Sequence, residues 1–211
     1  MKKSYYGIVE GFFSEPLKPW ANRERSDILE FIHNYSSLDT YIYCPKDEIY
    51  ISKKWDILYP QSKALEIEKF IKKCSLYGVT YFYGLNPAIN DKTDWIILKE
   101  KVVKKIDQIL ELGCKNICLL FDDIPIAYDV VDGEVKENTI YKSLVDTIND
   151  LYLYFQEKCD DCLVCMPDYV FIQKTPLTDA CKFLNKDLGI CWTGNEIFSK
   201  GITSKDITRV K

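Results

Sequence analysis

The stretch Asn116–Pro125, NICLLFDDIP, decides how the rest of the chain is read. Ile117–Phe121 is a continuous apolar run, too short for an ordinary helix and lacking the alternation of a half-exposed strand. That is the pattern of a strand buried on both faces. It stops abruptly at two aspartates and a proline. Strands covered on both sides belong to parallel sheets, and parallel strands are joined through helices. The expectation is an α/β protein with polar chemistry at a strand's carboxyl end.

Working outward, Tyr5–Glu10, Thr40–Tyr43, Thr80–Leu85, Leu163–Met166 and Leu188–Trp192 have the same short, apolar or aromatic character. The segments between them are periodic. Ala21–Tyr35 places Ile28, Leu29, Ile32 and Tyr35 on one helix face, and Gln61–Tyr77 places Leu65, Phe70, Ile71 and Cys74 inward before Gly78 stops it. Asp94–Leu112 repeats through Leu98, Val102, Ile106, Ile109 and Leu110 and ends at Gly113. Thr139–Lys158 and Thr178–Leu184 complete the helices.

Six β-then-α repeats argue for a parallel sheet with helical crossovers. A doubly wound sheet and a barrel both fit, but no glycine-rich phosphate loop follows the first strand. Polar residues instead follow many strand ends: Glu10-Gly11, Pro45-Lys46-Asp47, Asn86, Asp122-Asp123, Asp168-Tyr169 and Thr193-Gly194-Asn195. Chemistry drawn from successive strand ends is how a barrel builds its carboxyl face. The fold expected is α/β, a TIM-type (β/α) barrel that is incomplete, with about six of the eight units that closure requires. It would form a single domain over residues 1–211, lacking the last barrel units.

Asp122 and Asp123 are the candidate catalytic pair. Within a strand, neighbours point to opposite faces, but where the backbone turns before Pro125 both can reach one pocket. Two close carboxylates cannot both ionise comfortably, so one keeps its proton to higher pH. A general acid beside an ionised helper requires that asymmetry. The plain alternative is a polar turn or a helix N-cap, for which aspartate is commonly used.

Composition narrows the remaining classes. The net charge of -4, from 28 Lys+Arg against 32 Asp+Glu, comes without a basic stripe, which argues against nucleic acid as a partner. Met1-Lys2-Lys3-Ser4-Tyr5 has no apolar segment behind it, and no apolar run approaches the ~18–20 residues of a membrane span, so no signal peptide and no membrane partner are expected. The nine cysteines, an odd number mostly within apolar runs, suit reduced thiols in a cytoplasmic protein. Cys159, Cys162 and Cys165 form a C-x-x-C-x-x-C run that invites a metal reading. A fourth ligand at suitable spacing is missing, and the only histidine, His33, reads as a packed helix residue. No metal and no cofactor are expected.

Five motifs fall in order at the ends of successive strands: Tyr5–Pro16 (YYGIVEGFFSEP), Thr40–Glu48 (TYIYCPKDE), Leu119–Pro125 (LLFDDIP), Cys165–Tyr169 (CMPDY) and Trp192–Gly194 (WTG). Together they resemble glycoside hydrolase family 84, the β-N-acetylglucosaminidases that include protein O-GlcNAcases and bacterial hyaluronidase-like enzymes. The resemblance implies a (β/α)8 barrel that cleaves N-acetylglucosamine from a glycan or glycoprotein with retention, the substrate's acetamido group serving as nucleophile. It implies that Asp122 orients and polarises that group and that Asp123 is the general acid and base. By the same resemblance Tyr169 touches the acetamido group, Gly11 and Lys46 meet sugar hydroxyls, and Thr193 lines the pocket. The family's Tyr-Gly-Arg-Pro is Phe13-Ser14-Glu15-Pro16 here, and its later W-D-N and A-N-D motifs have no counterpart.

Two other readings stay open. A shortened, non-catalytic relative would bind N-acetylglucosamine weakly or serve as an interaction module, self-associating through open sheet edges. A metal-dependent phosphodiesterase would use Asp122 and Asp123 as ligands, against the scarcity of histidine.

Overall fold

The computed structural model describes residues 5–11, 20–35, 37–90, 92–122, 130–131, 134–135, 139–167, 169–170, 181–196 and 199–206. Asp123, Asp168 and the segment after Gly11 lie outside them. The elements run β1 (Gly7–Glu10), α1 (Asn22–Tyr35), β2 (Thr40–Tyr43), α2 (Gln61–Leu76), β3 (Thr80–Leu85), α3 (Trp95–Glu111) and β4 (Asn116–Leu120). A hairpin of β5 (Val130–Val131) and β6 (Glu134–Val135) follows, then α4 (Thr139–Phe155), β7 (Asp161–Cys165), a 3₁₀ turn (Cys181–Phe183) and β8 (Gly189–Cys191).

Six strands form one parallel sheet in the order β1-β2-β3-β4-β7-β8. The sheet is curled. In a flat sheet β1 and β7 would lie four strand spacings apart, about 19 Å. Here the Tyr5 hydroxyl, just before β1, donates to Asp161 at the start of β7, and the Tyr5 ring packs edge-on against Phe82 of β3. Higher in the interior, the thiols of Cys118 on β4 and Cys191 on β8 are 3.8 Å apart with β7 between their strands. The architecture is a half-barrel with alternating helices, an incomplete TIM-type barrel.

Side-chain alternation gives the sheet two faces. The outer one carries Tyr41, Tyr43, Tyr81, Tyr83, Ile117, Leu119, Cys162 and Val164, packed against Leu29, Ile71, Val102, Ile106, Ile148 and Phe155 from the helices. Each such Leu, Ile or Phe contributes about 1.5–3 kcal/mol by burial. The inner face is filled by a separate cluster of Cys44, Cys118, Leu120 and Cys165, with Ile42, Leu163, Tyr169 and Cys191 against it.

Local chemistry fixes the helix ends, and the two glycine stops fall where the sequence places them. Asp94 caps α3 by accepting from the Ile96 and Ile97 amides at 3.0 and 3.1 Å. Gly78 and Gly113, at φ +67° and +94°, turn the chain after α2 and α3.

Several expectations are corrected. Tyr35 is 78 % exposed, because the buried stripe of α1 is Arg25, Leu29 and Ile32, spaced i, i+4, i+7. Leu65 is 46 % exposed for the same reason: Ile67, Ile71 and Cys74 are the buried side of α2. The first strand begins at Gly7, and the last two strands are Asp161–Cys165 and Gly189–Cys191. Within Thr178–Leu184, residues 178–180 fall outside the described residues, and Cys181–Phe183 form a 3₁₀ turn. The short hairpin after β4 is additional to the six expected strands. No described helix is long and apolar enough to cross a membrane.

The inner face has no room to spare at Gly84. A Cβ there would sit 2.4 Å from Cys44 Cβ and 3.1 Å from Leu120 Cδ1. Gly84→Ala should therefore lower stability by about 1–3 kcal/mol through overpacking, read as a shift in the urea midpoint. An unchanged midpoint would mean that the inner layer yields to an added methyl.

Candidate active site

The inner-face alternation continues past the strand ends. Cys44 is followed two residues on by Lys46, and Cys118 and Leu120 by Asp122, so both side chains rise from the same face. Lys46 Nζ lies 3.0 Å from Asp122 Oδ2, with side chains only 18 % and 16 % exposed. The other oxygen, Oδ1, is buried and has no hydrogen-bond partner among the described residues. A buried acceptor without a donor costs about 1–3 kcal/mol, and an N–H brought to Oδ1 would offset that cost.

The other sequence-selected residues gather over the same cluster. A Cβ on Gly11, just past β1, would lie 3.3 Å from Cys44 Sγ. Tyr169 packs against the inner cluster, and its carbonyl accepts from the Thr193 amide at 3.1 Å and from Thr193 Oγ1 at 3.4 Å. The next residues, Val170 and Gly194, form a parallel bridge. The structure thus brings Gly11, Lys46, Asp122, Tyr169 and Thr193 to one end of the sheet. Asp123 and Asp168 lie outside the described residues.

Beneath them the thiols of Cys44, Cys118, Cys165 and Cys191 form a floor. Burial raises the Cys44 pKa well above the ordinary thiol value. The hydrogen bond with Cys191, followed by burial, raises Cys165, and the hydrogen bond with Cys118 raises Cys191. Protonated thiols fill space and are poor nucleophiles. The C-x-x-C-x-x-C run does not converge, since Cys162 belongs to the helix-side core and Cys165 to the inner cluster.

Two residues differ from their sequence reading. Glu10 faces the helix layer, where it accepts from Arg25 Nε at 2.9 Å, from an Arg25 terminal nitrogen at 2.8 Å and from the Tyr41 hydroxyl. It ties β1 to α1 and β2 and has no part in the site. His33 is exposed and lies against Tyr77, with Nδ1 3.1 Å from the Tyr77 carbonyl. Trp192 is half-buried, and its indole nitrogen has no partner among the described residues.

The loop after β2, which carries Lys46, is held by one face of α3, a feature without a sequence signature. Lys101 pairs with Asp56 at 2.8 Å. Lys105, fully buried, donates to the Ile57 carbonyl at 2.6 Å and lies 3.6 Å from the Tyr59 ring centroid. Gln108 accepts from the Tyr59 amide and donates to its carbonyl, both at 2.9 Å. Spacing of i, i+4, i+7 puts all three on one side of the helix. Within the loop, successive turns link Pro45 to Glu48, Glu48 to Ile51 and Ser52, and Ile49 to Lys54.

A model of the beta-N-acetylglucosaminidase family matches residues 6–211. The protein O-GlcNAcases of Rattus norvegicus and Mus musculus are each 26 % identical to this chain over 97 % of its length. The chain spans only 22 % of those proteins. A solved structure, an aspartate-to-asparagine mutant of the Thermobaculum terrenum O-GlcNAc hydrolase, superposes with a TM-score of 0.83 at 23 % identity, covering 98 % of this chain and 44 % of that one. That likeness establishes the fold.

Burial pushes Lys105 down to about 7 from 10.5, against the opposing pull of Glu48 and Asp56. Between those values the unfolded chain binds a proton that the folded one does not, so stability should rise as pH climbs from about 7 towards 10. Lys105→Met should flatten that part of the stability-against-pH curve, measured by urea melts. A curve with the wild-type slope would show that Lys105 titrates normally.

Proposed function

The chain belongs to the beta-N-acetylglucosaminidase family, and we propose that it is the catalytic part of a glycoside hydrolase that removes terminal β-linked N-acetylglucosamine with retention. In this reading the acetamido carbonyl oxygen attacks the anomeric carbon as the glycosidic bond breaks, forming an oxazoline. Asp122 accepts the acetamido N–H and makes that oxygen more nucleophilic. Asp123 gives its proton to the departing oxygen, then takes one from the water that opens the oxazoline. Tyr169 contacts the acetamido group, Gly11 and Lys46 meet sugar hydroxyls, and Thr193 lines the pocket while bracing Tyr169. No metal or cofactor enters the scheme.

The observation that carries this reading is the Asp122 carboxylate, held by Lys46 through one oxygen and left with the other buried and unmatched. The substrate's N–H is a donor of the kind that atom lacks. N-acetylglucosamine on a glycan or glycoprotein is the substrate class. Nine cysteines, none in a disulfide, support a reducing, cytoplasmic location.

Asp123→Asn should slow N-acetylglucosaminides with poor leaving groups by about 10²–10⁴ while largely sparing activated aryl glycosides, which need little protonation. Asp122→Asn should slow both, because it acts on ring closure. Leaving-group series for both variants would decide the assignment; equal losses from Asp123→Asn on good and poor leaving groups would remove it from the acid role.

A second reading, a non-catalytic binding or interaction module, draws on the sheet edges. The outer edges of β1 and β8 have no pairing strand among the described residues, and Val9 and Ile190 on them are 47 % and 50 % exposed. Open edges with apolar side chains recruit other strands. The 211-residue chain should self-associate on sedimentation, and a concentration-independent monomer would refute that expectation.

A further inference from the structure

We infer that Lys46 is a positioning residue for Asp122, fixing one carboxylate oxygen so that the other alone is presented to the acetamido N–H. This rests on the hydrolase reading above and adds a task that a sugar-hydroxyl contact does not imply. A carboxylate has two equivalent oxygens and turns readily about its last bond. Left to itself, Asp122 would offer either oxygen in a range of orientations. The Lys46 ammonium at 3.0 Å from Oδ2 removes that choice, and Oδ1 is the buried, unmatched atom.

The pairing is built to be held. Asp122 follows Leu120 at the end of β4, where the chain is part of the inner layer. Lys46 sits at the start of a loop made of linked turns, anchored to α3 through Asp56, Ile57 and Tyr59 and to α2 through the Glu48–Lys63 pair at 3.0 Å. Both ends of the ion pair are therefore carried by structure fixed elsewhere, as a preorganised site requires.

A lysine that only binds a sugar hydroxyl would act on KM and independently of Asp122. A lysine that aims Asp122 acts on kcat and only while Asp122 can be aimed. The test is a double-mutant cycle on an aryl N-acetylglucosaminide with the wild-type chain, Lys46→Met, Asp122→Asn and the double variant. We expect Lys46→Met to lower kcat about 10–100-fold with little change in KM, and to cost under about 3-fold when Asp122 is already asparagine. Lys46→Arg, which restores the charge, should recover much of kcat. Additive losses, a loss confined to KM, or no recovery by arginine would overturn the proposal while leaving the hydrolase reading intact. A wild-type chain that turns over no such substrate would overturn the hydrolase reading, and this role of Lys46 with it. Urea melts of the same four proteins separate a lost orientation from a lost fold: a kcat loss in Lys46→Met explained by unfolding would also overturn the assignment.

Discussion

A parallel sheet that curls has less space on its concave side than on its convex side, and the residues on the two faces are divided by that constraint. The convex side takes tyrosines, with Tyr43 against Tyr81 and Tyr83 and with Phe70 of α2 against Tyr41 and Tyr81. The concave side takes Gly84, thiols and the aliphatic Ile42, Leu120 and Leu163, packed so closely that the Cys118 and Cys191 sulfurs on non-adjacent strands touch. At Gly84, where even a Cβ would meet Cys44 and Leu120, a larger side chain would push the inner layer apart.

Everything proposed for the site follows from where that inner face ends. Residues at alternate positions stay on one side of a strand, so the face bearing Cys44 delivers Lys46 and the face bearing Cys118 and Leu120 delivers Asp122. The same parity sends Glu10 outward to Arg25 and Tyr41. The acidic residues at the ends of β1 and β4 thus have different work: one locks the helix layer to the sheet, the other stands over the thiol floor with an oxygen unmatched among the described residues.

The Lys46 loop illustrates how a site is stiffened from a distance. Three residues of α3 grip it by an ion pair, a buried ammonium and a side-chain amide that bonds both backbone groups of Tyr59. Burying Lys105 is unfavourable for its charge, and its donation to the Ile57 carbonyl and its place over Tyr59 offset part of that cost. A hydrophobic residue would fill the space without supplying the donor.

The sequence alone determined the six strands of the parallel sheet, the four long helices, their order and the strand ends that carry polar groups, because continuous apolar runs, helical periodicity and glycine stops are local properties. NICLLFDDIP, TYIYCPKDE and WTG marked the site's elements for the same reason. The helix faces were less legible: Tyr35 and Leu65 are apolar, but the stripe that meets the sheet is set by how each helix is rotated against it. Only the tertiary structure decided that Lys46 pairs with Asp122, that Glu10 belongs to the helix layer, and that Lys101, Lys105 and Gln108 hold the loop. Those contacts join residues about 15 to 76 positions apart through the register and curl of the sheet, and no local pattern encodes either.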